Sequence, residues 1–177
     1  GASAAAIADG RGLARVVRRL LAPRVELRAA TMADAERAWV WRNHPETRRQ
    51  SGDPAEIPLD RHLAWFAATL ARDDRALLIG SVGGRDVGVL RYDFDGDRAV
   101  VSVYLDPSRQ GEGLGAPLLR AGTRLVAATR PAIRRVEAVV KVDNVASRRV
   151  FAAAGYREET RLFVIDPRET TGGDGSR

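Results

Sequence analysis

Three glycines alternate with other residues in the polar segment Arg109-Gln-Gly-Glu-Gly-Leu-Gly115. This pattern lets successive backbone N–H groups point at one concave site, because glycine tolerates the left-handed backbone angles that such turns require. Apolar residues at helical spacing follow over residues 114–126, so the positive end of a helix dipole adds to the site. Pro117 falls in the first helical turn, where its missing N–H breaks no intrahelical bond. The segment therefore predicts a cradle for an anion.

Two familiar nucleotide sites fit the same glycines less well. Gly111-Glu-Gly-Leu-Gly-Ala116 matches the dinucleotide pattern G-x-G-x-x-A. In a Rossmann unit, however, the glycines closely follow a strand of a parallel sheet, whereas five residues separate them here from a strand predicted at 99–105. The chain also has no Gly-Lys-Ser/Thr sequence of a nucleoside-triphosphate P-loop. A purely structural alternative is a glycine-rich turn that lets the helix pack on the strand.

The rest of the sequence predicts the elements that must position this segment. Alternating apolar residues predict strands, and a Gly83-Gly84 turn joins two of them in a hairpin. The order β-α-α-β-β-β-α-β-α-β predicts an α/β fold, a mixed α+β sheet with helices on both faces. The predicted strands are 25–29, 76–82, 87–94, 99–105, 136–142 and 162–165, and helices open near Thr31, Leu59, Leu114 and Asn144.

Local signals place helix ends and faces. Thr31 and Asp34 have the spacing of a capping box, and Gly155 stops the last helix. A loop is predicted over 50–58, because this segment contains one glycine and two prolines. The helix after it has an apolar face and a mixed flank. The face comprises Leu59, Leu63, Phe66 and Leu70, and the flank comprises His62, Trp65 and Thr69.

The glycine segment, in this order of elements, resembles the GNAT acetyltransferase family. That family's cofactor motif, Gln/Arg-x-x-Gly-x-Gly/Ala, follows its fourth strand, and Gln110-Gly-Glu-Gly-Leu-Gly115 satisfies it. Asn144-Val-Ala-Ser-Arg-Arg-Val-Phe-Ala-Ala-Ala-Gly-Tyr156 resembles the second block, Asn-x-x-Ala/Ser-x-x-Leu-Tyr-x-x-x-Gly-Phe. The resemblance covers about residues 25–165. It implies a GNAT-like fold with a splayed central sheet, and an enzyme that takes acetyl-CoA as co-substrate and needs no metal.

The resemblance also implies a role for individual residues. The pyrophosphate of acetyl-CoA would lie on the N–H groups of 110–115, with Arg109 paired to a phosphate. A bulged fourth strand, splayed from the fifth, would leave an N–H near Tyr104 or Leu105 to bind the thioester oxygen. The implied catalytic residues are Tyr104, Leu105 and Asn144. The implied cofactor-binding residues are Val103, Leu105, Arg109, Gln110, Gly111, Glu112, Gly113, Leu114, Gly115, Asn144, Ser147 and Phe151.

The sequence does not identify the groups that transfer protons. Family members commonly have a tyrosine where this chain has Phe151, so a general acid is dispensable or comes from elsewhere, with Tyr104 and Tyr156 as substitutes. Tyr156 is also the aromatic residue that usually packs in the core after this glycine. The candidate general bases are His62, Asp93, Tyr104 and Glu137. Two roles are predicted for Asn144, the N-cap of a helix and a ligand of the cofactor.

The acceptor-side helices resemble one branch of this family, which acetylates the 4-amino group of a UDP-linked sugar on the pseudaminic acid route. A Trp41-Arg42-Asn43 run and a His62-x-x-Trp65 helix carry that resemblance. It implies a substrate site of Trp41, Arg42, Asn43 and His62, although both tryptophans also fit a core role. The alternative acceptors are a peptide N-terminus or another small amine. A non-catalytic acyl-CoA-binding module is the alternative of another class.

Composition excludes several other classes. The chain has no cysteine and two histidines, which rules out thiolate metal sites and a cysteine acyl-enzyme and disfavours a histidine metal centre. The formal charge is +6, but residues 1–24 contribute +4 of it, so a nucleic-acid partner is not expected. No apolar run reaches the length of a membrane span. A cytoplasmic location is expected, with no membrane partner and with a homodimer left open.

The N-terminal segment suggests a second enzyme domain. Residues 8–17 resemble the closing helix of the nucleotide-sugar hydrolase of the same pathway. We therefore predict that 1–24 is a helix or linker at the end of a fused upstream hydrolase domain. Residues 25–165 form the acetyltransferase domain, and the Gly- and Thr-rich tail 166–177 is predicted to be disordered.

Overall fold

The computed structural model describes residues 24–159. The helix or linker predicted over 1–24, apart from its last residue, therefore lies outside the described residues, as do the strand 162–165 and the tail 166–177. The five strands are β1 (Val25–Ala29), β2 (Arg75–Val82), β3 (Arg85–Asp95), β4 (Arg98–Leu105) and β5 (Arg135–Glu137). The five α-helices are α1 (Ala35–Asn43), α2 (Pro45–Gln50), α3 (Leu59–Leu70), α4 (Gly115–Thr129) and α5 (Val145–Ala154).

The strands form one mixed sheet in the order β1-β2-β3-β4-β5. The first four are antiparallel, and β5 runs parallel to β4 because α4 provides the crossover between them. The β2–β3 hairpin turns at Gly83 and Gly84, whose φ angles of 58° and 75° match a two-residue type I′ turn. The predicted mixed sheet with helices on both faces is confirmed.

The sheet is irregular in β3 rather than in β4. Gly80 pairs with Gly88 and Ser81 pairs with Asp86, so Val87 is an extra, bulged residue. The β3–β4 register continues without a shift from Asp95↔Arg98 to Gly88↔Leu105. The bulge expected in the fourth strand is therefore wrong in its position. The Val87 carbonyl accepts a hydrogen bond from Asp106 N–H at 2.9 Å, which fixes the exit of the chain from β4.

Hydrophobic cores lie on both faces of the sheet. One core joins α1 and α3 to the sheet through Ala38, Phe66 and Val89. The other joins α4 to the sheet through Leu90, Val101 and Leu118, with α5 packed at its edge. The α3 face is rotated relative to the prediction, because His62, Phe66 and Thr69 are its buried residues. The expectation that His62 and Thr69 flank the core is wrong.

Two predicted boundaries also differ. The strand predicted over 136–142 is regular only at Arg135–Glu137, and Val139 and Val142 are exposed. A short helix, α2, was not predicted, and it begins at Pro45, where proline's missing N–H disrupts no helical bond. The His44 ring nitrogen Nδ1 accepts from Glu46 N–H at 3.3 Å and caps α2. In the described part of the chain, no helix is long and apolar enough to cross a membrane.

Candidate functional site

The glycine segment forms an open loop between β4 and α4. A 3₁₀-turn, Pro107–Arg109, begins it, and the Asp106 carboxylate caps this turn by accepting from Ser108 N–H at 2.9 Å. Gly111 and Gly113 have φ angles of 85° and 73°, which side-chain-bearing residues rarely adopt. A Cβ at either glycine would meet no atom within 4 Å. Both glycines therefore face open space and leave the backbone accessible to a ligand.

The backbone N–H groups of this loop are available for an anion. Those of Gln110 and Glu112 make long bonds of 3.4 Å to carbonyls of the preceding turn. The next N–H groups have no acceptor among residues 24–159, and α4 begins in the same segment, so its dipole points there. The available donors are those of Gly111, Gly113, Leu114, Gly115 and Ala116. The loop thus has the geometry of an anion cradle.

Arg109 already has an anionic partner in this loop. Its Nε and Nη2 atoms donate to the two carboxylate oxygens of Glu112, each at 2.7 Å. This hydrogen bond lowers the pKa of Glu112 and raises the pKa of Arg109. The positive charge of Arg109 is therefore already neutralised by Glu112 before any phosphate binds. The sequence prediction for Arg109 did not include this ion pair.

The end of β4 presents a free backbone edge beside the cradle. Since Asp106 N–H points to β3 and directions alternate along a strand, the N–H and C=O groups of Val103 and Leu105 point to the opposite side. There β5 reaches only as far as Glu137, opposite Val100. Among the described residues, no strand pairs with Val103 or Leu105 on that side. The expected splay between the fourth and fifth strands is confirmed, and these N–H groups have the position expected for a thioester site.

Tyr104 lies between these two residues, and its side chain points to the α1–α3 face of the sheet. Its hydroxyl is buried and has no hydrogen-bond partner among residues 24–159. Burial raises the pKa of Tyr104, while the charges of Arg42 and Arg91 act to lower it. The phenol therefore stays protonated at neutral pH. It can donate a proton, but it is a poor general base in this state.

The middle of α5 lies close to the start of α4. A Cβ at Gly115 would lie 2.8 Å from Val150 Cγ1, so the two helices touch at this glycine. The Asn144 Oδ1 atom accepts from Ser147 N–H at 2.9 Å. Asn144 is therefore the N-cap of α5, which is one of its two predicted roles. The same hydrogen bond orients Ser147. The roles of Asn144 and Ser147 toward a cofactor stay predictions.

Phe151 and Tyr156 pack against each other. Their ring centroids lie 5.1 Å apart, edge to face, at the border of the core beneath α4. The Tyr156 hydroxyl is hydrogen-bonded to Thr123 Oγ1 at 2.7 Å, and burial raises its pKa. Tyr156 therefore has the packing role that the sequence favoured and does not replace the tyrosine that Phe151 lacks.

The predicted acceptor residues separate into different environments. Asn43 is a structural clasp, since its Nδ2 donates to the Ile57 carbonyl at 2.8 Å and its Oδ1 accepts from Ile57 N–H at 3.0 Å. Arg42 is partly buried and donates from Nη2 to the Asp53 carbonyl at 3.2 Å. Its Nη1 atom is buried without a partner among residues 24–159. Of this pair, only Arg42 retains hydrogen-bonding capacity for a ligand.

Trp41 and His62 belong to the core. Trp41 is buried beneath Arg37, whose guanidinium carbon lies 5.6 Å from the centroid of the indole. The His62 Nε2 atom lies 3.1 Å from the Ala35 carbonyl, and its ring lies 5.6 Å from the rings of Trp65 and Phe66. Burial lowers the pKa of His62. These contacts give both side chains a structural role, and their predicted contact with substrate stays untested.

The two carboxylate candidates for a general base lie far from the end of β4. Asp93 and Glu137 both pair with Val100, five residues before Leu105, which is about 17 Å along a strand. Asp93 forms ion pairs with Arg75 and Arg91 at 2.8 and 2.9 Å. Hydrogen bonds from Arg98 and Arg135 lower the pKa of Glu137. These residues stabilise the sheet surface and are wrongly placed for the predicted role.

Two arginines near Arg42 escaped the sequence analysis. Arg91 shares the sheet face of Val89, because side chains alternate along β3, and its guanidinium carbon lies 5.9 Å from the Trp65 ring centroid. Arg48, on α2, has a buried Nε atom without a hydrogen-bond partner in the described part of the chain. The alternation of side chains along β3 could have identified Arg91. Arg48 could not have been identified, because the sequence did not predict α2. Residues 24–159 contain no cluster of three His, Cys, Asp or Glu residues suited to a metal ion.

Comparison with known proteins shows what this chain is similar to. The family profile of the acetyltransferase (GNAT) domain matches residues 24–157. The aminoglycoside acetyltransferase AAC(6′)-Ib, solved with coenzyme A, is 20% identical, with a TM-score of 0.68 over 77% of this chain and 86% of that one. Spermidine N-acetyltransferase from Vibrio cholerae, solved with CoA and spermine, is 16% identical, with a TM-score of 0.70 over 80% and 88%. At such identities the similarity shows a shared fold. No curated protein matches the chain significantly.

Proposed function

This chain belongs to the GNAT acetyltransferase family, and we propose that it transfers the acetyl group of acetyl-CoA directly to the 4-amino group of a nucleotide-linked amino sugar. As a family member it is an acetyl-CoA-dependent N-acetyltransferase. The observation that carries the cofactor assignment is the set of N–H groups at the start of α4, those of Gly111 and of 113–116, that have no acceptor among residues 24–159. The acceptor assignment goes further and depends on the α1–α3 side of the sheet.

The cradle fits the pyrophosphate of acetyl-CoA. Five N–H groups without acceptors among residues 24–159 and a helix dipole lie in the segment where Gly111 and Gly113 leave open space. The cofactor supplies an activated thioester, and this chain would hold it with the N–H groups of the cradle and the free edge of β4. The N–H of Val103 or Leu105 would donate to the thioester oxygen and so stabilise negative charge that develops there.

Direct transfer is consistent with the residues present. The chain has no cysteine, which removes the nucleophile most suited to a thioester-derived acyl-enzyme. Phe151 cannot protonate a leaving thiolate, but a thiol with a pKa near ~8.5 is already a tolerable leaving group. The Tyr104 phenol, held neutral by burial, would donate a hydrogen bond on the acceptor side of β4 and keep its proton. The attacking amine would lose its proton to solvent, and the CoA thiolate would take one up from solvent after it leaves. Loss of the Tyr104 hydroxyl would lower the turnover rate more than the affinity for acetyl-CoA.

The acceptor proposal is supported by the α1–α2 segment. The Trp41-Arg42-Asn43 run and the His62-x-x-Trp65 helix resemble the branch that acetylates UDP-linked 4-amino sugars. Arg42 has a buried nitrogen, Nη1, without a hydrogen-bond partner among residues 24–159, and Trp65 lies beside Arg91 on the same side of the sheet. Phosphate oxygens suit a guanidinium. The structural relatives were solved with aminoglycosides and with spermine, so amines of those kinds are the alternatives to be tested.

The test is release of CoA thiol over a panel of amines. The panel contains a UDP-4-amino-4,6-dideoxy sugar, a peptide with a free N-terminus, kanamycin and spermidine. We expect the highest kcat/KM for the nucleotide sugar. Faster turnover of the peptide or of another small amine would contradict the acceptor assignment and leave the acetyltransferase activity intact. Cofactor binding without turnover of any amine would instead indicate an acyl-CoA-binding module.

A further inference from the structure

Arg42 is a half-buried cation without a counter-ion among the described residues. Within residues 24–159 its Nη1 atom is buried and unpartnered, and its one hydrogen bond runs from Nη2 to the Asp53 carbonyl at 3.2 Å. Within residues 24–159, no carboxylate oxygen lies within the 4 Å of an ion pair with Arg42, whereas Arg28, Arg37 and Arg91 all have such partners. A buried guanidinium is expensive unless an anion or several acceptors compensate it. The side chain is therefore arranged for a partner that the described residues do not supply.

The surroundings of Arg42 are also rich in unpaired donors. The Tyr104 hydroxyl and the Arg48 Nε atom are both buried without hydrogen-bond partners in the described part of the chain. Trp41, the neighbour of Arg42 on α1, belongs to the same hydrophobic cluster as Tyr104, so Arg42 and Tyr104 lie on one side of the sheet. The Asp53 carboxylate acts on Arg42 but forms no ion pair with it among the described residues, and the Asp93 carboxylate, farther along β3, is paired with Arg75 and Arg91. Buried donors without hydrogen-bond partners on one side of the sheet indicate a site for an oxyanion.

This region adjoins the reaction centre. Tyr104 stands between Val103 and Leu105, whose N–H groups form the free edge beside the cradle. Its side chain points to the α1–α3 face, and Arg42 lies at the C-terminal end of α1 on that side. An acceptor that enters from the α1–α3 side would therefore pass Arg42 before its amine reaches the end of β4.

We propose that Arg42 and Tyr104 form an anion subsite that takes a phosphate or carboxylate oxygen of the acceptor. The acceptor is then an amine that also carries negative charge, and the subsite rejects polycationic amines by repulsion from Arg42, Arg48 and Arg91. This inference rests on the proposed function for the identity of the reaction. The inference goes beyond the proposed function because it assigns a negative charge to the acceptor and names the two hydrogen-bond donors that select this acceptor.

Isothermal titration on the enzyme saturated with CoA tests the subsite, because CoA then occupies the cradle. The probes are UDP for a phosphate source, glucuronate for a carboxylate source, and uridine as the neutral control. We expect UDP or glucuronate to bind and uridine not to bind. Arg42→Gln should weaken the anion by about tenfold or more, and Arg42→Lys by less, since lysine retains the charge but not the planar donor pair. Tyr104→Phe should also weaken it.

Arg49→Gln is the matched control, since Arg49 is an exposed arginine of α2 that pairs with Glu46. It should bind both anions as the unmodified enzyme does. If Arg42→Gln does not fold, as judged by its thermal melt, Tyr104→Phe and Arg42→Lys decide the question. Failure of both anions to bind, or unchanged binding in the Arg42 variants, would overturn the subsite.

Activity assays separate this proposal from the proposed function. If the UDP-amino sugar is not acetylated but glucuronate binding depends on Arg42, the acceptor assignment fails and the anion subsite stands. If spermidine or kanamycin is acetylated as efficiently as an anionic amine, the selection against polycations is wrong. In the supported case, Arg42→Gln raises KM for the nucleotide sugar and leaves the affinity for CoA unchanged.

Discussion

At the scale of single residues, the cofactor site depends on two glycines and one ion pair. Gly113 has a φ angle of 73° and faces open space, so its backbone rather than any contact dictates its residue type. Glu112 stands next to it and neutralises Arg109. We therefore expect the cradle to bind a polyanion through N–H groups and a helix dipole more than through net positive charge.

Gly113→Asp is expected to weaken CoA binding by at least about tenfold, because it strains the loop and places a negative charge where pyrophosphate belongs. Isothermal titration of CoA measures the change. Gly96→Asp is the matched control, since Gly96 has a φ of 56° and equally open surroundings in the β3–β4 turn. Equal loss of affinity in both variants would indicate a general loss of stability instead of a lost site.

Glu112→Gln is expected to strengthen CoA binding several-fold, because it removes a carboxylate from the cradle and frees Arg109 for a phosphate. The gain should shrink as salt is added, since both groups are exposed to solvent. Glu46→Gln, which breaks the comparable ion pair with Arg49, serves as the control and should leave CoA binding unchanged. Weaker binding of CoA to Glu112→Gln would mean that the carboxylate positions Arg109 productively.

At the scale of elements, the entry to α1 is held by a buried carboxylate. Asp34 is 3% exposed and accepts from Arg28 at 2.7 and 2.6 Å, from Arg37 at 2.7 Å and from Thr31 N–H at 2.9 Å. Hydrogen bonds from Arg28 are the main cause that lowers the pKa of Asp34, against the opposing effect of burial. These bonds connect β1 to the start of α1, and through Asp86 to β3.

Asp34→Asn is expected to lower the free energy of unfolding by about 2–4 kcal/mol at neutral pH. Because the folded-state pKa is depressed, the contribution is complete above the unfolded pKa of about 3.9 and is lost as pH falls toward the folded value. Urea unfolding across pH 2–7 should therefore show a steeper acid loss in the unmodified protein than in Asp34→Asn. Asp74→Asn, at an exposed ion pair with Arg72, should show no measurable change. If the free energy of unfolding changed with pH in parallel in the unmodified protein and in Asp34→Asn, the stabilising role of the Asp34 carboxylate would be contradicted.

The contact between α4 and α5 places the two sequence blocks side by side. Gly115→Ala would put a Cβ 2.8 Å from Val150 Cγ1, so we expect a destabilisation of about 1–3 kcal/mol from overpacking. Val150→Ala in the same chain should recover part of it, because the smaller side chain makes room. Thermal or urea unfolding measures both effects. Additive losses in the double variant would show that the helices do not meet at this point.

At the same scale, local sequence signals predicted elements but not their partners. Strand alternation located β2, β3 and β4 within a few residues, and glycine spacing located the cradle, because backbone preferences decide both. The length of β5 and the buried stripe of α3 depend on neighbours that are distant in sequence. For the same reason, the sequence named Arg42 but could not show that its Nη1 atom is buried and unpartnered. It also could not show that Asn43 is engaged by Ile57, or that Asp93 lies at the far end of the sheet.

At the scale of the whole molecule, charged side chains and backbone dipoles have different roles. The formal charge of the chain is +6, yet in the described part most arginines near the sheet have carboxylate partners. Arg42, on the α1–α3 side, has no ion-pair partner in this part of the chain, and the cradle would attract an anion through backbone dipoles. Under the proposed function, the free edge of β4 would serve the cofactor and its α1–α3 face would serve the acceptor.

The central claim is acetyl transfer from acetyl-CoA to the amine of a negatively charged acceptor. The most direct measurement is mass spectrometry of a reaction containing enzyme, isotopically labelled acetyl-CoA and a UDP-4-amino sugar. The account predicts a nucleotide sugar that has gained one labelled acetyl group, with an equal amount of free CoA and no label on the protein. Consumption of acetyl-CoA with no acetylated amine, or a stable label on the enzyme itself, would contradict it.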